Sequence, residues 1–292
     1  MGERAFAPQL PVLLVEEAVR AALNEDLGRA GDITSSATIP PEATATALLS
    51  SRQDGVLAGM ALARAAFALI DPALGFEALA RDGESVAAGQ AVARLNGNAR
   101  AMLAAERVAL NFLMRLSGIA THTARFQAAV AHTGARICCT RKTVPGHRAF
   151  DKYAVRCGGG ANHRFGLDDA ILIKDNHVAV CGGVAIAVER ARAWAGHLVA
   201  VEVEVTDLAQ FAEALGAAPD AILLDNMEPV AMARAVALNQ ADNGGRIKLE
   251  ASGNVDLSTV RAIAETGVDY ISTSKITMAA PTLDLGLDVV IG

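Results

Sequence analysis

The sequence lacks the features that indicate membrane, secreted or disulfide-rich proteins. No apolar run approaches the ~20 residues needed to cross a membrane, and the short run Leu10–Val15 has no basic leader before it. Only four cysteines occur, and none of them forms a CxxC pair. We therefore expect a cytoplasmic protein that binds no membrane, with small buried cysteines in a reducing compartment.

Aromatic residues and positive charge are also scarce. Aromatic side chains make up 4% of the 292 residues, whereas alanine and glycine are abundant, which suits tightly packed layers of helix on strand. The net charge of −6 argues against nucleic-acid binding, because polyanion binding depends on counterion release from a broad basic surface. With 52% hydrophobic residues, the chain can bury a large core in one large domain or two ordinary ones.

The positive charge that is present is concentrated in one segment. Residues 136–177 contain eight Lys or Arg against four Asp, a net charge of +4 within an acidic chain. A basic run usually forms a solvated face. This one is rich in glycine and is interrupted by short apolar strands, which favours a binding site for an anion.

Mixed helix and strand patterns fill the N-terminal part of the chain. Apolar spacing predicts helices at Pro11–Leu27 and Gly59–Ile70, and alternation predicts an edge-type strand at Thr44–Ser50. Turn signals within residues 77–90 predict a small sheet. A long helix is predicted over residues 99–130, with a break at Ser117–Gly118.

In the second half, short apolar runs alternate with helical stretches. The predicted strands are Arg136–Thr140, Ala170–Ile173, Leu198–Val205, Ala221–Leu224, Ile247–Ala251 and Asp269–Thr273. The predicted helices between the later strands are Val184–Ala195, Leu208–Leu215, Pro229–Leu238 and Leu257–Glu265. Six such units favour an incomplete parallel α/β barrel of the TIM type over an open sheet.

Polar residues follow every one of these strands. They are Arg141, Lys142, Lys174–His177, Glu202, Glu204, Asp225, Asn226, Ser252, Gly253 and Ser272–Ser274. The carboxyl ends of parallel barrel strands converge on one rim, where such enzymes build their active sites. The sequence therefore predicts an active site at that rim.

The rim carries three kinds of group. A cationic set suits a multiply anionic organic substrate, because guanidinium forks bind carboxylates or phosphates in two-pronged fashion. This set comprises Arg141, Lys142, His163, Arg164 and Lys174. Glu204 and Asp225 suit Mg²⁺ carried by a polyphosphate, and the loops at Ser252–Gly253 and Ser272–Ser274 can point backbone N–H groups at a phosphate. Together they fit phosphoribosyl transfer.

Other interpretations of the same residues stay open at this point. Glu204 and Asp225 could cap the helices that follow them. Lys174 could form a Schiff base, as in aldolase-like barrels. A zinc site at Cys138, Cys139 and His147 fits no ligand spacing, and Gly158–Gly160 is not a GxGxxG loop. His147 and His177 are interpreted as structural hydrogen-bonding residues, and Arg107 as half of a surface ion pair with Glu106.

Seven ordered motifs give the chain a close resemblance to a known family. They are EDLGRAGDIT, ERVALNFLMRLSGIAT, the long segment TRKTVPGHRAFDKYAVRCGGGANHRFGLDDAILIKDNH, VEVEV, ILLDN, EASG and the Pro281–Leu287 tail. In this order they resemble the quinolinate phosphoribosyltransferases over nearly the whole chain.

The resemblance implies a fold and a reaction. It implies an N-terminal α+β sandwich over residues 1–115, completed by residues 279–292, and an incomplete α/β barrel over residues 116–278. It also implies that quinolinate and phosphoribosyl pyrophosphate react with Mg²⁺ to give nicotinate mononucleotide, pyrophosphate and CO₂ in de novo NAD synthesis. A homodimer or larger assembly that shares its active site between subunits is implied as well.

The resemblance also assigns roles to individual residues. Arg141, His163, Arg164 and Lys174 would hold the carboxylates of quinolinate, with Arg107 reaching in from the partner subunit, which replaces the surface ion-pair interpretation. Lys142, Glu204 and Asp225 would engage the phosphoribosyl pyrophosphate and its metal, and Lys142, Lys174, Glu204 and Asp225 would be the catalytic set. Thr140, Ser252, Gly253, Ser272, Thr273 and Ser274 would complete substrate binding.

One loop departs from the family pattern. After the sixth strand, many relatives carry a Val-Gly-Ala-Leu-Thr-His-like loop, whereas this chain has Ser274 at the glycine position and Met278 at the histidine position. Lys275 could supply a compensating phosphate contact. A relative linked to molybdate transport, an aldolase-like lyase and a non-catalytic anion-binding barrel are the alternatives.

Overall fold

The structure is a computed structural model that describes residues 8–290. Its helices are α1 Val12–Leu27, α2 Ile33–Thr38, α3 Met60–Ile70, α4 Ala99–Val130, α5 Arg148–Cys157, α6 Asp175–Cys181, α7 Val184–Trp194, α8 Leu208–Ala217, α9 Pro229–Asn243, α10 Val260–Ala264 and α11 Lys275–Met278. Its strands are β1 Thr44–Ser51, β2 Gly55–Val56, β3 Gly75–Ala78, β4 Ser85–Val86, β5 Ala91–Asn98, β6 Arg136–Cys138, β7 Ile171–Ile173, β8 Val201–Val205, β9 Ala221–Asp225, β10 Lys248–Ser252, β11 Tyr270–Ser272 and β12 Leu285–Val290.

The chain forms two compact units, and neither is continuous in sequence. Within the described residues, the first comprises residues 8–124, 149–159 and 280–290, and the second comprises residues 125–148 and 160–279. These bounds differ from the expected domain limits, because residues 116–124 and 149–159 lie with the N-terminal unit. The outermost parts of the expected N-terminal domain, residues 1–7 and 291–292, lie outside the described residues.

The first unit is built on a four-stranded antiparallel sheet in the order β12-β1-β5-β3. The expectation that β1 is an edge strand was wrong, since β1 pairs on one side with β5 and on the other with β12. Its alternating burial gives the sheet one core face, where Ala47 and Leu49 are fully buried. A strand from the far end of the sequence thus covers the side of β1 that would otherwise be open.

Helix α4 runs without the expected break at Ser117–Gly118. The hydroxyl of Ser117 is buried and bonds both the N–H and the C=O of Ala58, at 3.0 and 3.1 Å. A Cβ at Gly118 would overlap the carbonyl oxygen of Pro281 and lie 2.8 Å from the Cα of Thr282. These two small residues therefore allow close packing against the helix instead of ending it.

The second unit is a six-stranded parallel sheet in the order β6-β11-β10-β9-β8-β7. Strands that follow one another in sequence are neighbours from β7 to β11, and β11 then pairs with β6, so the sheet curves into a barrel that stays open between β6 and β7. The central residues of β9 and β10 are buried, as expected for strands covered on both faces. The incomplete barrel and the N-terminal α+β unit agree with the expected fold.

None of the described helices is long and apolar enough to cross a membrane. All six strands and four helices predicted for the second half are present. Several of their ends coincide with the prediction and the others differ by up to five residues; α9 in particular continues to Asn243. Periodicity identifies such elements more reliably than it locates their ends.

Gly118→Ala should destabilise the protein by about 1–3 kcal/mol, because the added methyl group must displace backbone at Pro281–Thr282. Gly216 of α8 has nothing within 4 Å of an added Cβ, so Gly216→Ala is a matched control that should be neutral or stabilising by up to ~1 kcal/mol. Thermal unfolding followed by circular dichroism measures both. A higher melting temperature for Gly118→Ala would contradict the close contact.

Candidate active site

Most of the predicted site residues lie at or just beyond the carboxyl ends of the barrel strands. Following these strands, the structure places Thr140–Lys142 after β6, His163 and Arg164 before β7, Lys174 after β7, Glu204 on β8, Asp225 at the end of β9, Ser252 and Gly253 at the end of β10, and Ser272–Ser274 at the end of β11. Arg107 lies on an exposed part of α4 in the first unit.

Arg141 and Arg164 form the most unusual feature of this rim. The Nε atom of each guanidinium is buried and has no hydrogen-bond partner among the described residues. Burial lowers the pKa of Arg164 from its ordinary value, and the nearby charge of Arg141 lowers it further. Two neighbouring like charges, each with a buried and unused Nε donor, are costly unless an anion binds between or beside them.

Arg148 holds the backbone around this pair in place. Its guanidinium donates to the carbonyl oxygens of Phe165 at 3.1 Å and Arg141 at 3.5 Å, and its Nε donates to the Thr143 hydroxyl at 3.2 Å. No role for Arg148 was predicted from the sequence. Its position within the cationic segment was the available signal, but contacts to backbone carbonyls leave no mark in a sequence.

Lys174 and Glu204 form an ion pair at 2.7 Å. The Lys174 side chain is 50% exposed, whereas that of Glu204 is 10% exposed. An ammonium group held by a carboxylate is not the free amine that a Schiff base requires. The aldolase-like interpretation of Lys174 therefore has no support in this geometry.

His177 has the structural role expected of it. Its Nδ1 accepts a hydrogen bond from the backbone N–H of Lys174 at 2.9 Å, at the start of α6. This contact satisfies a backbone donor at the helix start and fixes the chain direction where Lys174 leaves β7.

The structure also decides whether Glu204 and Asp225 cap helices. The N-cap of α8 is Asp207, whose carboxylate accepts from the N–H groups of Ala209 and Gln210. The N-cap of α9 is Glu228. Capping therefore explains neither Glu204 nor Asp225.

Asp225 lies in a polar turn shared by β9 and β10. The Asn226 amide donates to Asp225 at 2.8 Å, and the Asn226 N–H donates to the carbonyl of Ser252 at 2.8 Å. Gly253 has φ +96°, and a Cβ there would overlap the Asn226 side chain. The turn thus needs glycine to bring these two strand ends together.

The loop with the family departure adopts an ordinary conformation. Ser274 has φ −80°, so the serine at the glycine position costs no backbone strain. Lys275 pairs with Asp256 at 3.3 Å, so in this structure its ammonium group is engaged by a carboxylate. Thr277 donates to the carbonyl of Lys142 at 2.8 Å, which ties this loop to the cationic segment.

A third group of side chains lies among the strands of the barrel. His163 Nε2 is 2.9 Å from a carboxylate oxygen of Glu202 and 3.7 Å from one of Glu250. Burial is the main cause that raises the pKa of Glu250 to about 7, and the charge of Glu202 raises it further. Sequence reasoning missed Glu250, although a charged residue inside the apolar run of β10 was a usable signal.

The raised pKa of Glu250 predicts a pH dependence of stability. Its carboxyl group is more easily protonated when folded than when unfolded, so its favourable contribution is fully present below pH ~4.5 and is lost as the pH rises through about 7. The groups that face it are Glu202, His163, Ser272 and Cys139. Glu250→Gln has the shape of the protonated side chain but cannot lose a proton. The melting temperature of this variant should therefore fall less between pH 5 and pH 8 than that of the native protein.

The matched control is Glu189→Gln, on an exposed position of α7. Its melting temperature should change with pH in parallel with the native protein. Parallel curves for Glu250→Gln as well would show that Glu250 titrates normally and would contradict the prediction.

Comparison with known proteins agrees with this geometry. Residues 32–117 match the N-terminal domain and residues 119–288 the C-terminal domain of the family described as quinolinate phosphoribosyl transferase. A probable carboxylating nicotinate-nucleotide pyrophosphorylase of Synechocystis is 42% identical over 280 residues, covering 96% of this chain and 94% of that protein. The corresponding Bacillus subtilis protein, also named probable, is 42% identical, covering 91% and 90%.

Solved structures show the same likeness in three dimensions. The nicotinate-nucleotide pyrophosphorylase from Francisella tularensis is 38% identical and superposes with a TM-score of 0.90, covering 97% of this chain and 99% of the other. Both domains of one family are thus matched in order over nearly the whole sequence, and the chain belongs to the quinolinate phosphoribosyl transferase family.

Proposed function

We propose that this protein transfers the phosphoribosyl group of phosphoribosyl pyrophosphate to quinolinate and releases CO₂. The products are nicotinate mononucleotide and pyrophosphate, as in de novo NAD synthesis. The observation that carries the proposal is that the neighbouring Arg141 and Arg164 each have a buried Nε donor without a hydrogen-bond partner among the described residues. The names of the relatives, which describe carboxylating pyrophosphorylases and decarboxylating phosphoribosyltransferases, support the same reaction.

Quinolinate is a dianion, and it would occupy the cationic part of the rim. Arg141 and Arg164 would each offer a fork to a carboxylate, and Lys174 would add a point charge. Binding the dianion would offset the cost of leaving the buried Nε donors of these two arginines without partners. Arg148, through its contacts to the two backbone segments, would keep the forks at a fixed separation.

Phosphoribosyl pyrophosphate would bind at the later strands. Lys142 would contact its phosphates, and the turn at Ser252–Gly253 and the loop Ser272–Ser274 would offer backbone N–H groups to a phosphate. Glu204 and Asp225 end neighbouring strands and supply only carboxylate oxygens, the donor type that suits Mg²⁺. When bound, Mg²⁺ would neutralise charge on the departing pyrophosphate.

The order of events follows from the chemistry of the ring. The ring nitrogen forms a bond to C1′ of the ribose while the bond from C1′ to pyrophosphate breaks, so the ring becomes cationic. The carboxylate next to that nitrogen then leaves as CO₂, its electron pair stays on the ring carbon, and a proton replaces it. Release of CO₂ without phosphoribosyl pyrophosphate would contradict this order. Catalysis is then mostly positioning and charge stabilisation.

Arg107 completes the proposal. It is exposed on α4, and we propose that it reaches the quinolinate site of a partner subunit in a homodimer. A helix offers a rigid support for such a side chain. The assembly and a cytoplasmic location stay predictions of the sequence.

Arg164→Ala should reduce turnover of quinolinate by at least about a hundredfold, because it removes a partly buried charged fork. The assay follows loss of the quinolinate ultraviolet band with phosphoribosyl pyrophosphate and Mg²⁺. Arg190→Ala, on an exposed position of α7, is the control and should match the native rate. If the native protein consumes phosphoribosyl pyrophosphate only with another base, the quinolinate assignment fails.

Asp225→Asn should shift the Mg²⁺ dependence of the reaction. The amide keeps the shape of the side chain but loses its charge, so the Mg²⁺ concentration for half-maximal rate should rise about tenfold or more. Initial rates measured over a series of Mg²⁺ concentrations test this. Asp242→Asn, exposed on α9, is the control, and an unchanged Mg²⁺ dependence in Asp225→Asn would remove Asp225 from the metal site.

A further inference from the structure

Both ring nitrogens of His163 are engaged inside the protein. Nδ1 lies 2.7 Å from the backbone nitrogen of Arg164, and Nε2 lies 2.9 Å from a carboxylate oxygen of Glu202. A backbone N–H can only donate, so Nδ1 must accept and carries no proton. The proton of a neutral imidazole then sits on Nε2 and is donated to Glu202.

We propose that Glu202 is a positioning residue that holds His163 as the neutral Nε2–H tautomer, so that His163 orients the backbone of Arg164 instead of contributing a positive charge to the site. This inference rests on the proposed function, because Arg164 is the residue that we place on a substrate carboxylate. It assigns a role to Glu202 within the same site.

The hydrogen bond between His163 and Glu202 lies in a largely buried part of the site. The side chains of His163 and Glu202 are 13% and 12% exposed, so water competes weakly for their hydrogen bond. On β8, Glu202 and Glu204 point to the same face because they are two residues apart. Glu204 is engaged with Lys174, which leaves Glu202 as the carboxylate of that strand that bonds His163.

Glu250 is the second carboxylate near this ring. One of its oxygens lies 3.7 Å from His163 Nε2, beyond hydrogen-bond distance, and has no hydrogen-bond partner among the described residues. Glu202 is therefore the carboxylate that accepts from Nε2–H. The hydrogen bond accepted by Nδ1 from the Arg164 N–H is what leaves no place for a second proton on the ring.

The same three side chains could be mistaken for a metal site. Their ligand atoms all lie within 4.8 Å of one another, and one histidine with two carboxylates is a common ligand set. A histidine ligates a metal through an unprotonated nitrogen, however, and here that nitrogen is the one bonded to the Arg164 N–H. The tautomer therefore favours a positioning role over metal binding.

The tautomer can be observed directly in the full-length protein. Nitrogen-15 labelling of its six histidines, with long-range proton–nitrogen correlation spectra between pH 6 and pH 8, distinguishes the two neutral forms and the cation. The signal that disappears in His163→Gln belongs to His163. It should show protonated Nε2 and unprotonated Nδ1 and should not titrate.

His132 is the internal control, because its ring is exposed and pairs with Glu265 at the surface. Its signal serves as the reference for a solvent-exposed ring in the same spectra. A His163 that is cationic, or protonated at Nδ1, would overturn the proposal. So would a spectrum in which His163 takes the expected form only after Zn²⁺ is added.

Variants of Glu202 connect the tautomer to substrate binding. Glu202→Ala removes the acceptor of Nε2–H, so the His163 ring should lose its fixed orientation and its nitrogen-15 signals should shift. The KM for quinolinate should rise by on the order of tenfold, with less change in the KM for phosphoribosyl pyrophosphate. Glu202→Gln keeps an oxygen that accepts from Nε2–H, so it should restore both the tautomer and most of the affinity. Glu265→Gln is the matched surface control and should leave the kinetics unchanged.

The spectra and the kinetics separate the two proposals. An expected tautomer in a protein that does not turn over quinolinate would refute the proposed function and leave the hydrogen-bond assignment intact. Normal turnover with a His163 signal that is identical in Glu202→Ala would refute the role of Glu202. If Glu202→Ala does not fold, the spectrum of the native protein and the kinetics of Glu202→Gln still test the role of Glu202.

Discussion

Two like charges held close together and partly removed from water impose the main constraint on this protein. Arg141 and Arg164 repel one another, and their buried Nε atoms have no partner among the described residues. Such a pair persists only if the surrounding structure fixes it, and three kinds of support do so. Arg148 fixes the backbone on both sides, Arg164 donates to the carbonyl of Ala170 at 2.9 Å, and the His163 ring accepts from the Arg164 N–H.

The open side of the barrel explains where this constraint is located. Strands β6 and β7 are the two edge strands of the sheet and lie on either side of the opening. The segment that connects them carries both Arg141 and Arg164. An ordinary βαβ connection needs little more than a helix and two short loops. This one is long, and its residues 160–170 form a single bridge, between Ala161 and Cys138, in place of a paired strand. The opening therefore leaves room for cationic side chains where a closed barrel would have backbone pairing.

Much of the fold could be predicted from the sequence, because apolar alternation in β1 and continuous apolar runs in β9 and β10 record burial directly. The errors came from contacts between distant parts of the chain. Ser117 and Gly118 predict a helix break when their contacts with Ala58 and Pro281 are unknown. Likewise, β1 resembles an edge strand when its pairing with β12 is unknown.

The strand-end positions of the predicted site residues could be read from the sequence, whereas their hydrogen bonds could not. Strand-end positions identified Glu204 and Asp225, whereas the partner of each polar group depends on distances of a few ångströms. His163 shows the difference, because a histidine in a basic segment suggests a cation, while the Arg164 N–H beside its ring indicates a neutral one. Glu250 and Arg148 were missed for the same reason.

The pairing of β12 with β1 also has a consequence for how the protein is made. The sheet of the first unit takes strands from residues 44–98 and from residues 285–290, with the whole barrel encoded between them. During synthesis, β1 must wait with one side unpaired until the ribosome has passed residue 290, and an unpaired strand is prone to wrong association. The barrel, by contrast, can be complete before that strand exists. Assembly on the ribosome should therefore run from the second unit to the first, against the order in which their sequences begin.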